Sequence, residues 1–119
     1  MAQPGRFQFP STLRVKRGQD FDRAYQLRKR RDEGCAVLYG APNGLALPRL
    51  GLSVSRRVGS AATRNAHKRC WREAFRLAQH ELPPGMDVVV VVRPHALRAV
   101  EDYRSMLLRC ARALAGTGS

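Results

Sequence analysis

Two kinds of period alternate along this chain and divide it into elements. In residues 20–29, Phe21, Ala24, Tyr25 and Arg28 fall on one side at helical spacing, which predicts a short helix. Arg28 to Arg31 is a basic run, and Asp32, Glu33 and Gly34 read as a turn. Residues 35–39 are a short apolar run, a strand, and residues 40–48 are broken by Pro42, Gly44 and Pro48, a loop. Over residues 50–55 the pattern alternates strictly: Leu50, Leu52 and Val54 point one way, Gly51, Ser53 and Ser55 the other. That predicts a strand with one buried face and one face of small polar residues, followed by an exit turn at residues 56–59. Ser60 is placed to cap a long helix over residues 61–81, which Pro83, Pro84 and Gly85 stop. Residues 86–92 are valine-rich and read as a central strand buried on both faces. After a turn at Arg93, Pro94 and His95, the residues Val100, Tyr103, Met106, Leu107, Cys110 and Leu114 recur at helical spacing, a last helix over about 99–114. Residues 1–17 show no period and carry Arg6, Arg14, Lys16 and Arg17, a loose basic arm packed on the surface. Residues 18–115 form one α+β domain with element order α-β-β-α-β-α, a small sandwich, and residues 116–119 are a tail.

The chain has 119 residues, enough to bury roughly two-thirds of its unfolded surface without staples. What sets it apart is charge: 22 Lys and Arg against 9 Asp and Glu, a formal +13. Self-repulsion of that size disfavours a compact chain unless a polyanion relieves it, so a nucleic-acid partner is the leading expectation. A membrane surface is the rival, but no lysine-rich amphipathic stretch or lipidation signal supports it. The longest apolar run, residues 88–92, is far too short to span a bilayer. Only Lys16, Lys29 and Lys68 are lysine. Arginine grips phosphate with a planar two-pronged fork, although a GC-rich genome would also favour it. Cys35, Cys70 and Cys110 are odd in number and widely spaced, so packing in a reducing compartment is favoured over a disulfide framework. His67 near Cys70 lacks a second ligand pair, so a metal site is not expected.

The segment TRNAHKRCWREAFRLAQ, residues 63–79, sharpens this picture. At ~100° per residue, Arg64, Asn65, Lys68, Arg69, Arg72, Arg76 and Gln79 fall within one arc of about 140°. His67, Cys70, Trp71, Ala74, Leu77 and Ala78 occupy the opposite arc, a core stripe. A solvated helical face would interleave acids with its bases, and Glu73 is the only acid, set off the basic arc. Arg64–Lys68, Lys68–Arg72 and Arg72–Arg76 are three like-charge i,i+4 pairs in succession. Each destabilises an isolated helix by a few tenths of a kcal/mol, and a phosphate backbone would reverse that sign.

The stretch RNAHKRCWREAFR, residues 64–76, resembles the signature helix of the bacterial ribonuclease P protein subunit, R-N-x-x-K-R-x-x-R-E-x-F-R. GLSVSRRVG, residues 51–59, and ELPPGMDVVVVVRP, residues 81–94, resemble the stretches that flank it, in the same order. One departure is Ala66, where the family usually has arginine; losing that arginine should weaken the grip without abolishing it.

The resemblance implies an accessory to a catalytic RNA that removes the 5′ leader from precursor tRNA. It implies an α+β sandwich with a left-handed β-α-β crossover, against the usual handedness rule. It implies that Arg64, Asn65, Lys68, Arg69 and Arg72, and more weakly Arg76, contact the catalytic RNA. A second surface, a cleft between the first helix and the sheet, would bind the single-stranded leader. Its walls and rim would be Phe21, Tyr25, Val37, Tyr39, Ser53, Ser55, Arg56 and Arg57. Stacking aromatics beside a positive groove suit single-stranded RNA, though Phe21 and Tyr25 also fit plain core packing. The protein itself would hold no tight cofactor and no catalytic residue, Mg²⁺ being used by the RNA-containing holoenzyme. It would lower the Mg²⁺ requirement, improve substrate affinity and work in the cytoplasm, with no membrane or DNA partner.

Two rival classes remain at this point. A structural RNA-binding protein shares the composition and class, and only the ordered match of three motifs argues against it. A self-sufficient nuclease would need carboxylates converging on one point, whereas the acids sit mainly at helix starts and turns.

Overall fold

Each element follows from a local rule and is then placed by one mixed sheet. The computed structural model describes residues 13–16, 18–27 and 29–116. The remaining residues of the basic arm, Arg28 and the tail residues 117–119 lie outside the described residues. The elements are α1 (Gly18–Leu27), β1 (Arg30–Asp32), β2 (Ala36–Pro42), β3 (Arg49–Val54), α2 (Ala61–Ala78), β4 (Met86–Val92) and α3 (Val100–Gly116). Ser60 caps α2 as expected: extended at φ −64°, ψ 169°, its side chain accepts from the Thr63 N–H at 3.2 Å.

The sheet order is β1-β2-β4-β3. β2 runs antiparallel to β1 and β4, while β3 runs parallel to β4. The connection between those parallel neighbours is α2, so β3-α2-β4 is a β-α-β crossover. β4 is the central strand that its valines predicted, with one exception: Val91 is half-exposed while the other six residues are buried.

Pairing register decides which residues share a face, because directly opposed residues point the same way. On one face lie Leu38, Val88, Val90, Leu50 and Leu52, covered by α2 and α3. There Trp71 stacks tilted on Tyr103 with ring centroids 4.5 Å apart, both fully buried. The Tyr103 hydroxyl accepts from the Arg98 N–H at 3.0 Å and lies 2.7 Å from His95 Nε2, tying the 93–98 turn to α3. His67 is buried beside His95, and burial lowers its pKa, so the ring packs as a neutral group. On the other face lie Val37, Tyr39, Ala41, Val89, Gly51 and Ser53, against which the short α1 packs, with Val15 beside Gly51.

The register of α1 against the sheet rests on two devices. A Cβ on Gly51 would sit 3.0 Å from both the Phe21 ring and Val15, so the strand must be bare there for α1 to lie down. At the start of α1, Asp87 is fully buried and accepts from Arg49 Nε and Nη2, each at 2.7 Å, and from Asn43 Nδ2 at 2.9 Å. Arg23 reaches the same carboxylate at 3.6 Å, and Asp20 lies 3.5 Å from Arg49. Sheet, loop and helix are thus joined through one buried acid.

Several expectations need correction. The turn expected at residues 32–34 is preceded by a fourth strand, β1, which pairs with β2 through a hairpin whose Gly34 adopts φ +83°. β2 continues through Pro42, into the stretch expected to be loop, and α2 ends at Ala78. Phe75 belongs to the buried stripe of α2, whereas Cys70 and Leu77 are only half-buried. Leu13 and Val15 are buried, and the Val15 N–H donates to the Leu50 carbonyl at 2.9 Å, extending the sheet beyond β3. Cys35 and Cys110 are buried free thiols; burial, aided by Glu33, pushes Cys110 up to about 11, which leaves it unreactive.

Candidate RNA-binding surfaces

The helical period of α2 places its basic residues on the side away from the core. Asn65, Lys68, Arg69, Arg72, Glu73 and Arg76 line one shallow depression on that side. Asn65 and Arg69 are exposed, while Arg64, Lys68, Arg72 and Arg76 are half-buried. Arg64 bends back so that its Nε donates to the Gly59 carbonyl at 3.3 Å, holding it over the helix start. Burial, and next the charge of Arg14, push the Arg72 guanidinium below its usual pKa, a direction that marks clustered cations. Glu73 is not set apart as the wheel suggested. It forks onto Arg76 at 2.9 and 2.5 Å, and that bond lowers the Glu73 pKa and raises that of Arg76. Arg76 therefore enters the ridge with a carboxylate partner of its own.

The opposite sheet face supplies the second surface. Across the four strands run two rows in register, Arg30–Tyr39–Val89–Gly51 and Asp32–Val37–Val91–Ser53. α1 covers the first row, where Phe21 approaches Gly51 and Ala24 packs with Val89. The second row is left partly open along the flank of the helix, with Val91 and Ser53 half-exposed, Asp32 exposed and Val37 buried beneath; this open strip is the groove. Tyr25 forms that flank: its ring meets Tyr39 edge-on at 4.9 Å and its hydroxyl hydrogen-bonds Ser53. Burial above all raises the Tyr25 pKa, so the hydroxyl remains a neutral donor and acceptor.

The structure thus brings Tyr25, Tyr39 and Ser53 together and places Ser55, Arg56 and Arg57, all exposed, at the β3 end of the groove. Two expected members are set deeper. Val37 is 6% exposed and serves as floor, and Phe21 is wedged between α1 and β3. Sequence reasoning missed Val91, the half-exposed floor residue of β4, and Arg30, the residue of β1 beside Tyr39. Neither carries a local signal: Val91 is one of five consecutive valines, and β1 is three charged residues. Among the described residues, no three His, Cys, Asp or Glu side chains are grouped to hold a metal ion, and no helix is long and apolar enough to cross a membrane.

The architecture and motif order have a counterpart in known proteins. The family Ribonuclease P matches residues 9–114, nearly the whole chain. The chain belongs to the ribonuclease P protein component family. The ribonuclease P protein component of Desulfovibrio desulfuricans is 36% identical over 124 aligned positions, covering 96% of this chain and 95% of that one. That of Photorhabdus laumondii is 44% identical over 86 positions, 71% of each chain. Among solved structures, the ribonuclease P protein of Thermotoga maritima superposes with a TM-score of 0.73 at 29% identity, covering 84% of this chain and 96% of that one. The Staphylococcus aureus protein gives 0.72 at 28%, covering 87% and 94%. The chain is accordingly a protein subunit of the ribonucleoprotein endonuclease that processes the 5′ end of tRNA alongside an RNA subunit.

Proposed function

We propose that the two surfaces divide the work of a ribonuclease P protein component: the α2 ridge grips the catalytic RNA, and the groove beside α1 holds the single-stranded 5′ leader of precursor tRNA. On this reading Arg64, Asn65, Lys68, Arg69 and Arg72 neutralise and hydrogen-bond RNA phosphates, with Arg76 secondary because Glu73 already holds it. The observation that carries the reading is the pairing of an open groove, lined by Tyr25, Tyr39 and Ser53, with an arginine rim that leads directly into α2. Aromatic faces stack bases without demanding a sequence, and small hydroxyls let a nucleotide backbone approach. The Mg²⁺ ions and the bond-breaking belong to the RNA; the chain improves substrate affinity and lowers the Mg²⁺ the holoenzyme needs, in the cytoplasm, without DNA or membrane as partner.

Replacing Tyr25 with alanine is the test of the groove. In the assembled holoenzyme, affinity for precursor tRNA should fall by about 1–3 kcal/mol, the scale of one lost base stack. Affinity for mature tRNA, which has no leader, should not change. Tyr25→Phe, which keeps the ring and loses the Ser53 hydrogen bond, should retain most of the affinity. Equal loss for precursor and mature tRNA, in a variant whose folding is unchanged, would remove Tyr25 from the leader site.

A further inference from the structure

The groove is open at two ends, and they differ chemically. At the β3 end stand Ser55, Arg56 and Arg57, already part of the rim. The other end is formed by β1, the strand that no sequence signal announced, with Asp32 in the groove row and Arg30 two residues before it on the same face of the sheet. Arg30 lies directly opposite Tyr39 in register, so its side chain shares the groove face, while Arg31 turns to the opposite face with Leu38. The Arg30 guanidinium reaches the Tyr39 hydroxyl at 3.5 Å and is exposed. Its backbone is held in place, since the Gly40 N–H donates to the carbonyl of neighbouring Lys29 at 3.0 Å.

The nearest acid on that face is Asp32, which is already committed. Arg93 forks onto both of its oxygens at 2.7 and 2.8 Å, and that bond holds the Asp32 carboxyl below its usual pKa. Arg93 holds Asp32 directly, and Arg30 acts on that carboxylate only through its charge, with no ion pair to it within 4.0 Å. An exposed guanidinium on this face, beside an aromatic and with no carboxylate bonded to it, is a site for a phosphate.

We infer that Arg30 clamps a backbone phosphate of the leader where it leaves the groove across β1. This rests on the groove being the leader site. It adds a direction. The β3 end runs through the 56–58 turn straight into α2, where the catalytic RNA would dock, so the nucleotides next to the cut enter there. Three strand spacings of about 4.8 Å separate the two ends by roughly 14 Å, so only a leader long enough to cross the sheet reaches Arg30.

The test compares holoenzymes carrying the native chain or Arg30→Ala, assembled with a bacterial ribonuclease P RNA. Affinity is measured for mature tRNA and for precursors with leaders lengthened one nucleotide at a time. Short leaders and mature tRNA should bind both enzymes alike. Beyond a threshold length, Arg30→Ala should bind roughly twofold to fivefold more weakly, the range of one exposed ion pair. Its log affinity should also fall less steeply with log salt, by about 0.7, for long leaders only. Arg30→Lys should stay close to the native chain. A loss independent of leader length, or no loss at any length while the native enzyme still prefers precursor to mature tRNA, would overturn the clamp and leave the groove standing. If the native enzyme itself binds precursor and mature tRNA equally, the leader reading of the groove fails and the clamp with it.

Discussion

Replacing Arg64 and Arg72 together with alanine is expected to weaken assembly with the catalytic RNA by two to four orders of magnitude while leaving the fold intact. The two residues sit two turns apart on α2, bracketing Lys68 and Arg69 on one face. A hydrogen bond to a charged group is worth about 1.5–3 kcal/mol, so losing two comes to about 3–6 kcal/mol, and each 1.4 kcal/mol is tenfold in affinity. Stability should move little or improve. The substitutions remove the like-charge pairs Arg64–Lys68, Lys68–Arg72 and Arg72–Arg76 and introduce the best helix former; the cost is one bond from Arg64 to Gly59. A salt titration checks that charge is the cause. With about five phosphates neutralised, the native slope of log affinity against log salt should lie near −3.5 to −4.5, and the double variant should lose roughly 1.4–1.8 of it. A flat slope for the native chain, or unchanged affinity of the variant, would mean that the ridge is solvated surface.

Asp87→Ala should instead unfold the protein more readily while leaving the α2 ridge intact. It leaves the largely buried Arg49 with the more distant Asp20 at 3.5 Å in place of its 2.7 Å partner, and it removes the acceptor shared by Asn43 and Arg23. Breaking a buried pair from one side costs about 3–5 kcal/mol, a large part of the stability of a domain this size. Arg23→Ala is the contrast: its guanidinium is 46% exposed and 3.6 Å away, so its loss should cost less than about 1 kcal/mol. Urea denaturation of the two variants checks this. A small effect of Asp87→Ala would show that α1 and the 43–47 loop are held by other contacts.

Asp87 also shows where the sequence stops being legible. Its partner Arg49 lies 38 residues away, and nothing local distinguishes it from any other acid at a strand start. By contrast, most of the α2 ridge could be read from a single period of about 100°, although Phe75, which that period sets among the basic residues, is buried. Ser60 and the prolines beyond Leu82 bounded that helix in advance, though it stops a few residues early at Ala78. The groove was half legible. Alternation in β3 put Ser53 and Ser55 on one face, and helical spacing put Phe21 and Tyr25 together. What joins them to Tyr39 and Val91 is the insertion of β4 between β2 and β3, a long-range fact of sheet order. β1 was illegible because Arg-Arg-Asp carries no apolar alternation; it is a strand only because β2 offers it a ladder.

The most direct test of an accessory role is leader removal from precursor tRNA across a Mg²⁺ titration, with catalytic RNA alone, chain alone and both together. The chain should shift cleavage by the RNA to lower Mg²⁺ and should cut nothing by itself at any concentration. Cleavage by the chain alone that survives ribonuclease treatment and repurification, or a Mg²⁺ profile of the RNA that the chain leaves unmoved, would contradict the account.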